Sequence, residues 1–156
     1  MYNAKADEYE FREIWHLALV FEDEEKPEKN YLRAIECYLF LFYVGYSDFF
    51  TTPSSIAFNL GILYDRIENY KNSVLWYKKS AELDEPAAMF NIAMAYGQGN
   101  GVLASKSASI DWYYKAAVQY LKNKDREMAL TAYDRIKAID EKHLVTKKLE
   151  ALLFDF

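Results

Sequence analysis

The stretches FNLGILYDRIENYKNSVLWYKKSA (58–81) and FNIAMAYGQGNGVLASKSASIDWYYKAA (90–117) are two copies of one pattern. This repetition constrains the fold more than any other feature of the chain. Asn59 matches Asn91, Leu60 matches Ile92, Gly61 matches Ala93 and Tyr64 matches Tyr96. Further along, Trp76-Tyr77 matches Trp112-Tyr113, and Ser80-Ala81 matches Ala116-Ala117. The offset is 32 residues in the first half and 36 in the second, and the difference is the glycine-bearing stretch YGQGNGV (96–102). A third copy, WHLALVFEDEEKPEKNYLRAIECYL (15–39), puts Leu17-Ala18 at Leu60-Gly61, Phe21 at Tyr64 and Cys37-Tyr38 at the Trp-Tyr pair. A looser fourth copy is YLKNKDREMALTAYDRIKAID (120–140). Periods of this length belong to supersecondary units that stack on one another.

Within each copy, apolar residues recur at steps of three and four, as in Ile56, Leu60, Leu63, Ile67 and then Val74, Tyr77, Ala81. That spacing lays them along one face of a helix. It predicts eight helices, roughly 7–22, 28–44, 53–67, 70–83, 86–97, 104–122, 125–138 and 141–154. The small residues Ala18, Gly61, Ala93 and Ala117 fall where paired helices cross most closely. Thr52-Pro53 and Glu85-Pro86 put proline in a first helical turn, where its missing N–H is not needed. No single pair can bury its apolar face, so the pairs must stack. The expected architecture is all-α: four antiparallel pairs (7–44, 53–83, 86–122 and 125–154) in a single domain over 1–156.

Composition agrees with a helical reading. Five Gly and three Pro are too few for the frequent turns of an all-β chain, and 52% apolar content argues against disorder. The longest apolar run, Tyr38 to Tyr46, is interrupted by Gly45 and is about half a membrane span. The N-terminus lacks a basic region followed by an apolar core, and the lone Cys37 excludes an internal disulfide framework. These features point to a soluble cytoplasmic protein. The net charge of −5 comes from residues 1–30, which hold nine acids against four bases. An acidic hairpin repels phosphate backbones, so nucleic acid is not expected as a ligand.

Ala88, Asn91, Ile92, Ala93, Tyr96, Gly99, Gly101, Val102, Trp112, Tyr113, Lys115, Ala116 and Ala117 together resemble the SEL-like repeat, a relative of the tetratricopeptide repeat. Ser105 departs from that pattern, where it has Asp, and Ala108-Ser109 departs where it has Lys-Ala. The 58–81 copy lacks the glycine loop and has the shorter tetratricopeptide-like turn. The resemblance implies a short right-handed α-solenoid that binds proteins without catalysing a reaction. Tetratricopeptide geometry places the first helix of each pair on the concave side. There Trp15, Phe58 and Phe90 would form one row and Leu19, Ile62 and Met94 a second, with Arg12, His16, Ser55, Asn59, Asp65 and Asn91 near by. The aromatic row either packs between helices or faces the groove. If it faces the groove, Phe58 and Phe90 can be truncated with little loss of stability. Related repeats that grip a C-terminal carboxylate use several Lys, Arg and Asn here; with only Arg12 and the Asn residues, that specialised function is not expected.

The expected function is therefore protein binding through the concave groove, the acidic hairpin around Glu22, Asp23 and Glu24, or both. Small proteins of the SEL-like class resemble adaptors and, in some gene neighbourhoods, immunity proteins that neutralise a toxin. Acidic charge would suit a basic toxin surface. The rival expectation is a structural protein that dimerises through its C-terminal helix, because ALLFDF (151–156) is unusually apolar for the outer face of a terminal helix.

No chemistry stands out beside these readings. A phosphate-cradling glycine loop follows a strand and commonly has a Lys nearby, whereas YGQGNGV follows a helical segment and contains no base. Its glycines suit a helix ending and a chain reversal. His16 sits at the position of Asn59 and Asn91, and His143 lacks a second ligand at metal spacing. Cys37, at a core tryptophan's position, reads as a buried inert thiol. Glu22–Glu25 lacks the Gly and spacing of a calcium loop. Neither catalytic residues nor a metal or cofactor site is expected.

Overall fold

Most helix starts carry a side-chain acceptor. Asn30, Thr52, Asn69, Ser105 and Asp125 each accept a hydrogen bond from the backbone N–H three residues on, and Glu85 accepts from Ala87. Each such cap is worth about 1 kcal/mol. Thr52 and Ser55 cap each other's backbone reciprocally, and Pro53 and Pro86 open their helices. The computed structural model describes residues 4–22, 30–48 and 51–154, with side chains from residue 10 onward except that of Glu22. Its helices are α1 (Ala4–Glu22), α2 (Tyr31–Tyr43), α3 (Pro53–Arg66), α4 (Tyr70–Ala81), α5 (Pro86–Gln98), α6 (Lys106–Lys122), α7 (Arg126–Ile139) and α8 (Leu144–Phe154). No strand occurs among the described residues.

These elements fall within a few residues of the predicted ones, and the differences lie at caps. Helix α6 begins at Lys106 rather than 104 because the Ser105 side chain takes the cap position. Helix α8 begins at Leu144 rather than 141, and His143 precedes it, with Nδ1 accepting from the Val145 N–H at 3.3 Å.

The ends of α2, α3, α4, α5 and α6 share one device. Gly45, Glu68, Asp84, Gly99 and Lys124 all have positive φ. In each case the next N–H reaches back five residues: Tyr46 to Leu41, Asn69 to Tyr64, Glu85 to Ser80, Asn100 to Ala95, and Asp125 to Tyr120. This is the Schellman ending, which satisfies carbonyls that the last turn would leave bare. Three of the five left-handed positions are not glycine: Glu68 (φ 59°), Asp84 (φ 63°) and Lys124 (φ 63°). A side chain is strained there. Changing any of the three to Gly is expected to raise unfolding stability by about 0.5–1 kcal/mol. Urea unfolding tests this, and a loss at all three positions would contradict the assigned geometry.

Each helix packs on the next, α3 lies against α5, and α8 lies against both α6 and α7. The result is an all-α solenoid of four helix pairs. Ala18, Gly61, Ala93 and Ala117 are buried at the crossings, as the repeat predicts. One core cluster joins α1, α2, α3 and Trp76, and a second runs from Tyr77 through α5, α6 and α7 to Leu149 and Leu153.

Candidate functional site

The glycine loop follows helix α5, and its glycines shape a turn. Gly99 closes α5 in the left-handed region, and the Ser105 N–H returns to the Tyr96 carbonyl at 2.9 Å. Gly101 lies against the start of α4: a Cβ built there would sit 2.3 Å from the Tyr70 carbonyl oxygen. The loop thus joins two repeats through backbone contact.

Beside this loop, a cavity of about 370 Å³ opens between α3 and α5. Ile62 and Asp65 come from α3, and Asn91, Met94 and Gln98 from α5, with Asn100 at the loop. Tyr70, Ser73 and Tyr77 of α4 also line it. Burial, together with the nearby Asp65 carboxylate, pushes the Tyr77 hydroxyl up to about 12, with the Ser73 and Asn91 side chains pulling the other way. Burial likewise raises the Asp65 carboxyl.

A second cavity, of about 260 Å³, repeats this arrangement one pair further on. Ser109 and Tyr113 of α6 take the places of Ser73 and Tyr77, and Arg135 and Ile139 come from α7. Burial raises the Tyr113 hydroxyl, partly offset by Arg135. Ser109 also donates from its hydroxyl to the Ala93 carbonyl at 2.8 Å, tying α6 to α5. Met94 and Gln98 line both cavities, so the two lie side by side along α3, α5 and α7 with α5 between them.

Of the sequence-derived candidates, Ile62, Asp65, Asn91 and Met94 come together on the wall of the first cavity. Phe58 and Phe90 do not stand free in the groove. They are half-buried, with ring centroids 5.8 Å from Tyr77 and 4.8 Å from Tyr113 respectively. This corrects the expectation that they could be truncated at little cost, because each ring packs between neighbouring helices. Trp15 packs on the first core cluster and is 5.0 Å from the exposed His16 ring. Ser55 belongs to the α3 capping box. Arg12 is exposed, Leu19 and Asn59 are half-buried, and none of the three lines either cavity. Glu22 ends α1, but its side chain, with Asp23 and Glu24, lies outside the described residues. Tyr77, Ser73, Gln98, Asn100 and Arg135 are groove residues that the concave-helix argument missed. The signal for the α4 pair was present, because Ser73 and Tyr77 recur as Ser109 and Tyr113 at the repeat spacing.

Other reactive groups offer no competing centre. Cys37 is half-buried, and burial with the adjacent Glu36 raises its thiol, which disfavours the thiolate. Among the described residues no His, Cys, Asp and Glu group could hold a metal ion, and no helix is long and apolar enough to cross a membrane.

The Sel1 repeat profile matches residues 15–40, 57–85 and 86–119, more than half of the chain. No curated protein matches it. Among solved structures, a protective antigen of uropathogenic Escherichia coli strains with an SLR fold superposes with TM-score 0.57 at 24% identity, covering 95% of this chain and 34% of that one. A Sel1 repeat protein from Oxalobacter formigenes gives 0.55 at 18% identity, over 92% of this chain and 62% of its own. A tetratricopeptide repeat protein from Parabacteroides merdae gives 0.53 at 15% identity, over 92% and 58%. At these identities the likeness is one of fold, and this chain spans between 34% and 62% of the three proteins' lengths. Repeats of this class generally mediate protein–protein interaction and are typically non-catalytic. With three repeat copies in sequence and stacked helix pairs in structure, the chain belongs to the Sel1 repeat family.

Proposed function

We propose that this protein is a non-catalytic binding module that holds a segment of a protein partner in the groove along α3, α5 and α7. The observation that carries the reading is the pair of repeat-equivalent cavities sharing Met94 and Gln98. Side by side they offer amides and hydroxyls that can pair with a peptide backbone. Met94 is 39% exposed, and flexible methionine suits a surface that receives varied side chains. An adaptor is the simplest role for such a module. The acid excess of residues 1–30, including Glu22, Asp23 and Glu24, supports the narrower reading of an immunity protein that occludes a basic toxin.

A second reading, self-assembly through the end pair, has its own observation. Helix α8 leaves Leu144, Leu152 and Phe154 exposed at 65%, 54% and 48%. Sedimentation of the purified protein separates the two: a dimer that Leu152→Lys dissociates supports assembly, and a monomer at all concentrations removes it.

For the groove, the test uses a partner isolated from the native cell. Ile62→Lys and Met94→Lys are expected to weaken its binding at least about tenfold, the scale of a buried contact replaced by an unpaired charge. Leu75→Lys, on an α4 position outside both cavities and 50% exposed, should leave binding unchanged. Equal losses for all three, or a loss only for Leu75→Lys, would move the binding surface elsewhere.

A further inference from the structure

We propose that the groove is charge-coded: it takes an extended segment of a partner protein whose basic side chain docks on Asp65 and whose acidic side chain docks on Arg135. This rests on the reading above that the groove binds protein. Among the described residues, Asp65 is the only charged one lining the first cavity, and Arg135 the only one lining the second. Both are exposed, and neither makes an ion pair with another described residue. Asp65 shares the cavity wall with Ile62, Val74, Tyr77 and Met94, and no cation among the described residues pairs with it. A cation from outside would supply what the chain does not. Arg135 is placed to do the same for an anion, beside the shared Met94 and Gln98.

The two charges also fix direction. A segment laid the wrong way round would set like charges together at both ends, which is how an interface rejects as well as selects. Asn91, Gln98 and Asn100 supply neutral donors and acceptors for the main chain between them. The partner motif is therefore a base and an acid in a fixed order, separated by the residues that cross α5.

Display of randomised peptides against the full chain tests the proposal, alongside its Asp65→Asn, Arg135→Gln and Met94→Lys variants, all at exposed positions. The wild type is expected to enrich peptides with a base and an acid in one order and at one recurrent spacing. Asp65→Asn should weaken the preference for the base alone, and Arg135→Gln that for the acid alone, each by about fivefold, the upper range for an exposed pair. If enrichment carries no charge preference, or keeps both preferences in both variants, while Met94→Lys abolishes it, the charge code is wrong and the groove reading stands. Enrichment that Met94→Lys does not reduce, or none on any of the proteins, overturns both.

Discussion

Gly101→Ala is expected to destabilise the protein by about 3 kcal/mol, among the largest effects of adding a single methyl group to this chain. Two causes act together. The residue has φ +71°, where an L side chain is strained, and its Cβ would lie 2.3 Å from the Tyr70 oxygen and 2.8 Å from the Lys71 nitrogen. Those are backbone atoms at the start of α4, so relief requires the loop to leave the neighbouring repeat. Gly61→Ala should cost about 2–3 kcal/mol for a different reason. Its Cβ would meet the Tyr77 ring at 2.4 Å, and that ring is buried, leaving it little room to turn. The other glycines calibrate the two terms. Gly45 has φ +70° but open space around it, so Gly45→Ala should cost only about 1 kcal/mol. Gly97 is helical with its nearest contact at 3.4 Å, so Gly97→Ala should gain about 0.5 kcal/mol. Denaturant unfolding of the four variants tests the order; a Gly101 variant no weaker than the Gly45 variant would disprove the inter-repeat contact.

The second large effect concerns the end of the solenoid. Leu153→Ala should cost about 3 kcal/mol, whereas Leu152→Ala should stay within about 0.5 kcal/mol. Leu153 is 1% exposed and belongs to the core shared with Leu149 and Ile136, while Leu152 is 54% exposed. The Arg126 guanidinium also donates to the Leu153 carbonyl, linking the start of α7 to the end of α8. Phe154 sits between these cases, its ring 5.9 Å from Tyr133, whose hydroxyl donates to Glu150 at 2.7 Å. Deleting residues 151–156 should therefore lower the melting temperature, because it removes Leu153. An unchanged melting temperature would mean that α8 is not docked.

The helical layout was legible because several local signals coincide: the apolar steps within each copy, the small residues at crossings, and the prolines of Thr52-Pro53 and Glu85-Pro86. The groove was legible only in part. Ile62, Asp65, Asn91 and Met94 follow from repeat register on the first helix of each pair. What register could not show is how deep the second helix lies. Gly61 lets the Tyr77 ring come close to α3, and this puts Tyr77 and Ser73 against the cavity. The same closeness explains Phe58 and Phe90, which the pattern leaves free to point either way. Phe58 packs at a tilt on Tyr77 and Phe90 edge-on against Tyr113. Arg135 was missed because the fourth copy diverges in sequence, although α7 still packs on α6.

The central claim is that a partner segment lies in the groove along α3, α5 and α7. Hydrogen–deuterium exchange of the full chain, alone and with its purified native partner, tests it most directly. The account predicts slowed exchange on binding over residues 62–65, 91–100 and 135–139, with α2 and the exposed side of α4 around Leu75 unchanged. Slowed exchange confined to α2, α4 or α8, with those three stretches unaffected, would contradict it.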